Sequence, residues 1–395
     1  MLRPGTLALT TLLAMLTALG PLSMDMYLPS LPDIARLLAA PTARVQLTVA
    51  SYLIGFAVGQ MIYGPLSDRH GRRPVLLAAL TLYAAATITC AATRSIDTLI
   101  AARFVQAVGG SGAIVLARAM VRDLYSGARA GRELSLMGSI MGFAPIVAPA
   151  IGGVLQTAFG WRASFILLGG LAVIAIFVVG RLLPETLRLR AGTPMSLFIL
   201  ARSYGAVLRH RGFLTYLAII TMTYAGLFAW VAGASVVLQG VYGLSPLAFG
   251  FTFALASAGY VVGTMIAARR VLRLGIERTI GLGVMLIAAG GLAVAAVVAT
   301  GTPYAIWLVA AMAVYLAGLG LAMPQAIAGA LTPFPDQAGT ASSLMGFVQQ
   351  TFASIVAAAV GAYLGRSAWP VAGVIAVMGC LVFLVWALTG RLRAR

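Results

Sequence analysis

The chain reads as an all-α membrane protein: twelve transmembrane helices in two six-helix halves related by a pseudo-twofold axis. Three observations predict this. First, 61% of its 395 residues are hydrophobic and 9% are charged, against about 25% charged in a soluble domain, so its surface must face lipid. Second, the apolar runs are continuous over about 20 residues, the length that crosses a bilayer as a helix, and do not alternate as barrel strands would. Third, the sequence repeats. A shift of 204 (259 − 55) carries Gly55, Gly59, Met61, Ile62 and Gly71 onto Gly259, Gly263, Met265, Ile266 and Gly275, and Met141-Gly142-Phe143 onto Met345-Gly346-Phe347. Parallel repeats of this kind place a solute site near the midplane, between the halves.

Taken in order, span one runs from Gly5 to Leu28 and is broken by Pro29 and Pro32. It reads as an uncleaved span, because no small-residue cleavage site follows its apolar run. Span two covers Val45 to Leu66. The charged, turn-forming loop Gly64-Pro-Leu-Ser-Asp68-Arg69-His70-Gly71-Arg72-Arg73-Pro74 joins it to span three, Val75 to Ala92. Span four, Thr98 to Val121, carries Arg103 and Arg118 within its length, and a basic loop from Arg122 to Arg132 leads to span five, Glu133 to Thr157. Span six covers Ala163 to Leu183. The later spans fall at Phe213–Leu238, Pro246–Ala268, Ile276–Ala299, Tyr304–Leu331, Ala338–Leu364 and Ala368–Leu388. The expected organisation is an N-terminal half over 1–183, a cytoplasmic linker over 184–211 and a C-terminal half over 212–395.

The formal charge is +18, and every basic residue is arginine. The arginines gather in the loops on one side of the spans, so the positive-inside rule makes that side cytoplasmic and puts both termini there. Their partners are expected to be lipid headgroups, not nucleic acid. Cys90 and Cys380 lie inside apolar spans and the two histidines lie in predicted loops, so no metal site and no catalytic triad is expected. No phosphate-binding loop of the Gly-x-x-x-x-Gly-Lys type is present. An enzyme and an ATP-driven pump are both disfavoured.

The chemistry sits in the intramembrane charges. Asp25 lies near the outer end of span one, and Arg103 lies about a turn and a half inside span four. Charge in hydrocarbon costs on the order of 2.5–3.5 kcal/mol, so it faces a cavity or a partner. Two readings stand: a carboxylate that exchanges a proton when substrate binds, or a fixed Asp25–Arg103 ion pair that holds spans one and four together. Arg118, Arg122 and Asp123 mark the inner end of span four, where arginine suits a helix C-terminus. Pro149, Gly152 and Gly153 should kink span five and thin it.

These segments together resemble a known family. Gly64…Asp68-Arg69-x-Gly71-Arg72-Arg73 is similar to the signature loop of the major facilitator superfamily. Arg103-Phe-Val-Gln106-Ala-Val-Gly109, ending in Arg118-Ala-Met-Val-Arg122-Asp123, resembles its fourth-span motif. Pro149-x-x-Gly152-Gly153-x-Leu155 resembles the fifth-span motif of drug–proton antiporters, with Ala144 and Ala148 where glycines are usual. Asp25-Met-Tyr27-Leu-Pro-Ser-Leu-Pro32 resembles the first span of the bicyclomycin/chloramphenicol-resistance (Bcr/CflA) branch.

The resemblance implies the major facilitator fold and efflux by alternating access across a bacterial inner membrane. The proton gradient would drive it, with no cofactor. It implies that Asp25 and Arg103 couple protons to substrate, and that Asp68 locks the cytoplasmic side near Gly339. The expected substrates are small, largely apolar drugs resembling chloramphenicol, florfenicol or bicyclomycin; the alternative is an endogenous sugar, nucleoside or amino-acid derivative. The protein is expected to work as a monomer. Tyr27, Tyr52, Tyr224, Trp230, Gln325 and Gln349 fall in spans that should face the cavity, and are the candidate substrate contacts.

Overall fold

The computed structural model describes residues 6–125, 127–187, 204–334, 337–365 and 367–390. Most of the expected linker lies outside them. All of the regular structure among the described residues is helical. In chain order it comprises α1 (Leu7–Asp25), a 3-10 turn (Leu28–Ser30), α2 (Leu31–Leu37), α3 (Thr42–His70), α4 (Arg72–Ala92), α5 (Ile96–Leu124), α6 (Gly127–Phe159) and α7 (Arg162–Leu182). The second half begins with α8 (Arg211–Ser235), which continues as a π-helical segment, Val236–Val241.

The next helix, Pro246–Thr300, has 55 residues. At about 1.5 Å per residue it is far too long for one crossing of a bilayer core about 30 Å thick. It is two spans, because Gly275 has φ 77° and ψ 169° in its interior. We label them α9 (246–274) and α10 (276–300). The chain ends with α11 (Ala305–Leu331), α12 (Ala338–Tyr363) and α13 (Trp369–Leu388). Eleven helices among the described residues are long and apolar enough to cross a membrane. Dividing the longest at Gly275 gives the expected twelve.

Three expectations about the first half need correction. Pro29 and Pro32 do not end span one. Each sits in the first turn of a new helical segment, where a missing N–H costs nothing, and the span continues to Leu37. Asp25 therefore stands about 18 Å from the Leu37 end of that span, deeper than the sequence suggested. The charged segment from Gly64 to Pro74 is also not an open loop. α3 runs through Pro65 to His70 and α4 begins at Arg72, so the turn is Gly71 alone, at φ 98°. The basic stretch after Arg122 is likewise mostly helical, since α5 ends at Leu124 and α6 starts at Gly127.

The internal repeat has a packing meaning. Gly55 lets α3 close onto the Phe104 carbonyl of α5, and its counterpart Gly259 lets α9 close onto the Ala313 carbonyl of α11. Gly142 of α6 faces Tyr260 of α9, and Gly346 of α12 faces Gln60 of α3. The same helix pairing is thus made twice with the halves exchanged, as a pseudo-twofold axis requires.

Between the halves the seam is held at the end that carries Gly160. There the Ser354 hydroxyl donates to the Ala50 carbonyl at 2.8 Å, and Gln239 Nε2 donates to the Pro29 carbonyl at 3.0 Å. Gly361 packs on Gln46 at the same end, and Gly153 on Pro246. At the opposite end, which carries Gly71, the space beside Gly339 is open: among the described residues no atom from another part of the fold lies within 4 Å of where its Cβ would stand.

Candidate functional site

Arg103 of α5 is fully buried, and neutral groups surround its charge. Its guanidinium lies between the rings of Tyr27 and Tyr52, 4.2 Å from each centroid, with Phe165 at 5.8 Å. Nη1 donates to the Ser23 carbonyl at 3.0 Å and to Gln106 Oε1 at 2.6 Å, and Nη2 lies 3.9 Å from the Met24 sulfur. The shell around it is itself fixed. Gln106 Nε2 donates to the Thr87 hydroxyl at 2.8 Å, the Tyr27 hydroxyl bonds Thr48 at 3.1 Å, the Tyr52 hydroxyl donates to the Gly20 carbonyl at 3.0 Å, and Ser23 bonds Tyr83 at 2.5 Å. A desolvated cation over aromatic faces gains about 2 kcal/mol or more. Tyr27 and Tyr52 thus serve as walls of the arginine site, with their hydroxyls committed to the backbone and to Thr48.

Asp25, at the C-terminal end of α1, is buried at 6% exposure. It stands within electrostatic range of Arg103, Tyr52 and Tyr224. Among the described residues its carboxylate makes no hydrogen bond and no ion pair. The fixed Asp25–Arg103 pair is therefore not formed; carbonyl, sulfur and ring contacts join the arginine to α1 instead. Gly152 makes the neighbourhood possible. α6 crosses α1 so closely that a Cβ there would overlap the Met26 carbonyl, and the Ser164 hydroxyl donates to that same carbonyl at 3.3 Å. Gly153 and Pro149, by contrast, pack across the seam on Pro246 and Gly250 of α9.

At the Gly71 end the charged motif forms a network within the first half. Arg72 Nε donates to Asp123 at 2.9 Å, and Nη1 lies 2.5 Å from Asp68 and donates to the Ser67 hydroxyl at 2.6 Å. The Thr186 hydroxyl also donates to Asp123, at 3.2 Å. Glu185, beyond α7, accepts from four backbone N–H groups: those of Arg72 at 2.9 Å, Arg73 at 3.2 Å, Thr186 at 2.9 Å and Leu187 at 3.0 Å. It lies so close to Gly71 that a Cβ there would stand 2.7 Å from its carboxylate. Arg73 reaches the carbonyls of Val179 and Gly180 on α7. Asp68 thus binds its own half, and among the described residues it has no ion-pair partner on α12. Arg69, Arg118 and Arg122 are exposed, and Gly64 has open space beside it.

The remaining candidates divide. Tyr224 is half-buried, its ring tilted against Phe228 with centroids 4.6 Å apart, and lies against Gln350 of α12. Gln349 is nearly buried on α12, and Gln325 is half-buried on α11. Trp230 departs from its expected role: it is fully buried in the second half, stacked on Phe253 at 6.1 Å, and is a packing residue. Sequence reasoning missed Ser67, Glu185, Thr186 and Gln350. Glu185 alone carried a signal, as a single acid in an arginine-rich segment.

The comparisons agree with this architecture. The model of the Major Facilitator Superfamily matches residues 13–358. The chain belongs to the major facilitator superfamily. It is 35% identical to an uncharacterized MFS-type transporter, YdgK, of Bacillus subtilis, covering 90% of this chain and 89% of that one. It is 32% identical to multidrug resistance protein D of Escherichia coli over 98% and 96% of the two chains. It is 31% identical to a bicyclomycin resistance protein homolog of Haemophilus influenzae over 95% and 94%. The fold matches that of a solved peptide transporter with a TM-score of 0.78 at 15% identity, over 98% of this chain and 95% of that one. The protein is a multi-pass membrane transporter of small molecules, not an enzyme.

Proposed function

We propose that this transporter exports small, largely apolar drugs in exchange for protons, by alternating access across a bacterial inner membrane. Chloramphenicol- and bicyclomycin-like compounds are the class to test first, a choice supported by the printed names of its relatives. One observation carries the proton coupling. Asp25 is buried in the span beside a buried cation, yet that cation is held by other groups, so the carboxylate is left to exchange its proton with substrate. Burial disfavours its charged form and the neighbouring guanidinium favours it, which is the opposition an exchangeable proton needs. No cofactor is required, and the protein acts as a monomer with both termini in the cytoplasm. The Gly71 end is then cytoplasmic, and the sealed Gly160 end is periplasmic.

The test is drug susceptibility of an efflux-deficient bacterium expressing the chain, with Asp25→Asn at equal abundance. Resistance that disappears in the variant is the expected outcome. Full resistance in the variant would remove Asp25 as the proton carrier, and resistance to nothing in the panel would redirect the search to an endogenous metabolite.

A further inference from the structure

Gln350 occupies the strip of α12 that faces α3. Gly346 and Ser354, each four residues away, share that helix face. The first closes on the Gln60 side chain, and the hydroxyl of the second donates to the Ala50 carbonyl at 2.8 Å. Gln350 is thus held at the seam by contacts on either side of it. It is 9% exposed, and among the described residues its Oε1 has no hydrogen-bond partner. Native structures hold few such atoms, and each destabilises the fold unless a ligand or water meets it.

Toward α8 its side chain lies against the Tyr224 hydroxyl, and Tyr224 in turn stands within electrostatic range of Asp25. The Tyr224 ring is itself only half-buried and packs at a tilt against Phe228. Polar groups from α1, α8 and α12 therefore converge between the halves, and Gln350 contributes a bare, uncharged acceptor.

We propose that Gln350, with Tyr224 and Asp25, forms a subsite for a hydrogen-bond-donating group of the exported molecule, a terminal hydroxyl, and that Gln350 Oε1 selects for that donor. The proposal rests on the drug-export reading and narrows it. An apolar isostere in place of the donor leaves Oε1 as unpartnered as it is without ligand, so the discrimination falls on that one group. It also separates Gln350 from its neighbour Gln349, for which no orphaned atom argues.

The test uses the purified full chain in lipid nanodiscs with thiamphenicol and florfenicol, which differ by a hydroxyl against a fluorine at one carbon. Wild type is expected to bind thiamphenicol about fivefold more tightly, the discrimination of one net hydrogen bond. Gln350→Met should bring the two affinities together while leaving the Tm of the ligand-free protein unchanged or raised, because the orphaned acceptor is gone. Equal affinities in wild type, or a ratio preserved in the variant, would overturn the assignment. So would a variant that loses Tm and keeps the ratio, which would make Gln350 a packing residue. Chloramphenicol is titrated in parallel: binding of chloramphenicol without discrimination between the pair overturns Gln350 alone, whereas silence from all three compounds overturns chloramphenicol-like compounds as substrates and the subsite with them.

Discussion

Arg103 shows how a full charge is kept inside a membrane protein without a counter-ion in contact. Its guanidinium is planar, so two tyrosine rings can flank it at 4.2 Å while its edge donates to Ser23 and Gln106. Lysine has neither the plane nor the fork. Arg103→Lys should therefore lower drug export at least tenfold at equal abundance, measured as resistance in the efflux-deficient host; a variant with wild-type resistance would show that charge alone suffices. Asp25 and Arg103 were legible in the sequence because a charge inside an apolar run is conspicuous. What holds the arginine was not. Its partners are a carbonyl, an amide, a thioether and two rings, types that occur throughout the chain and mark nothing until the fold brings them together. For the same reason Trp230 could not be told from a cavity residue: an aromatic in a span looks the same on either face of its helix.

At the scale of elements, the helix ends decide more than the helix bodies. α4 starts at a backbone turn only glycine adopts readily, and its first N–H groups donate to Glu185 from beyond α7. A carboxylate at a helix N-terminus is favoured. Glu185→Ala should destabilise the protein by about 1 kcal/mol through this lost cap and loosen the Gly71 end, read as a lower Tm and faster hydrogen exchange in the first turn of α4. Unchanged exchange there would reduce Glu185 to a surface residue. Gly152→Ala should be harsher, because a Cβ at that position overlaps the Met26 carbonyl backbone and cannot be relieved by a rotamer change. A loss of about 1–3 kcal/mol with loss of resistance is expected, measured by thermal unfolding and by susceptibility. Span positions were legible from length and hydropathy to within a few residues, except where helices continue through prolines or charges. Proline in a first helical turn and arginine in a last one look like loop signals when read along the sequence, yet both are well placed at helix ends.

For the whole molecule, the twelve spans and their twofold relation were written in the sequence, since paired glycines such as Gly55 and Gly259 must recur where the same close approach recurs. The conformation was not, because one sequence serves every state of an alternating-access cycle. Here the seam is closed at the Gly160 end, where Gln46 is fully buried beside Gly361 with both amide atoms unpartnered. Such an amide opposes closure, since opening returns it to water. Gln46→Leu should therefore favour the closed seam: accessibility of a cysteine introduced at the Gly160 end falls several-fold and turnover slows, while a rise in accessibility would contradict this role.

The central claim is that the Asp25 proton and the drug exchange for one another. It is tested most directly by following proton release when drug is added to the purified protein in weakly buffered solution near neutral pH. Wild type should release protons as the drug saturates, and Asp25→Asn should bind the drug and release none. Equal release from both proteins would place the exchanged proton elsewhere and contradict the account.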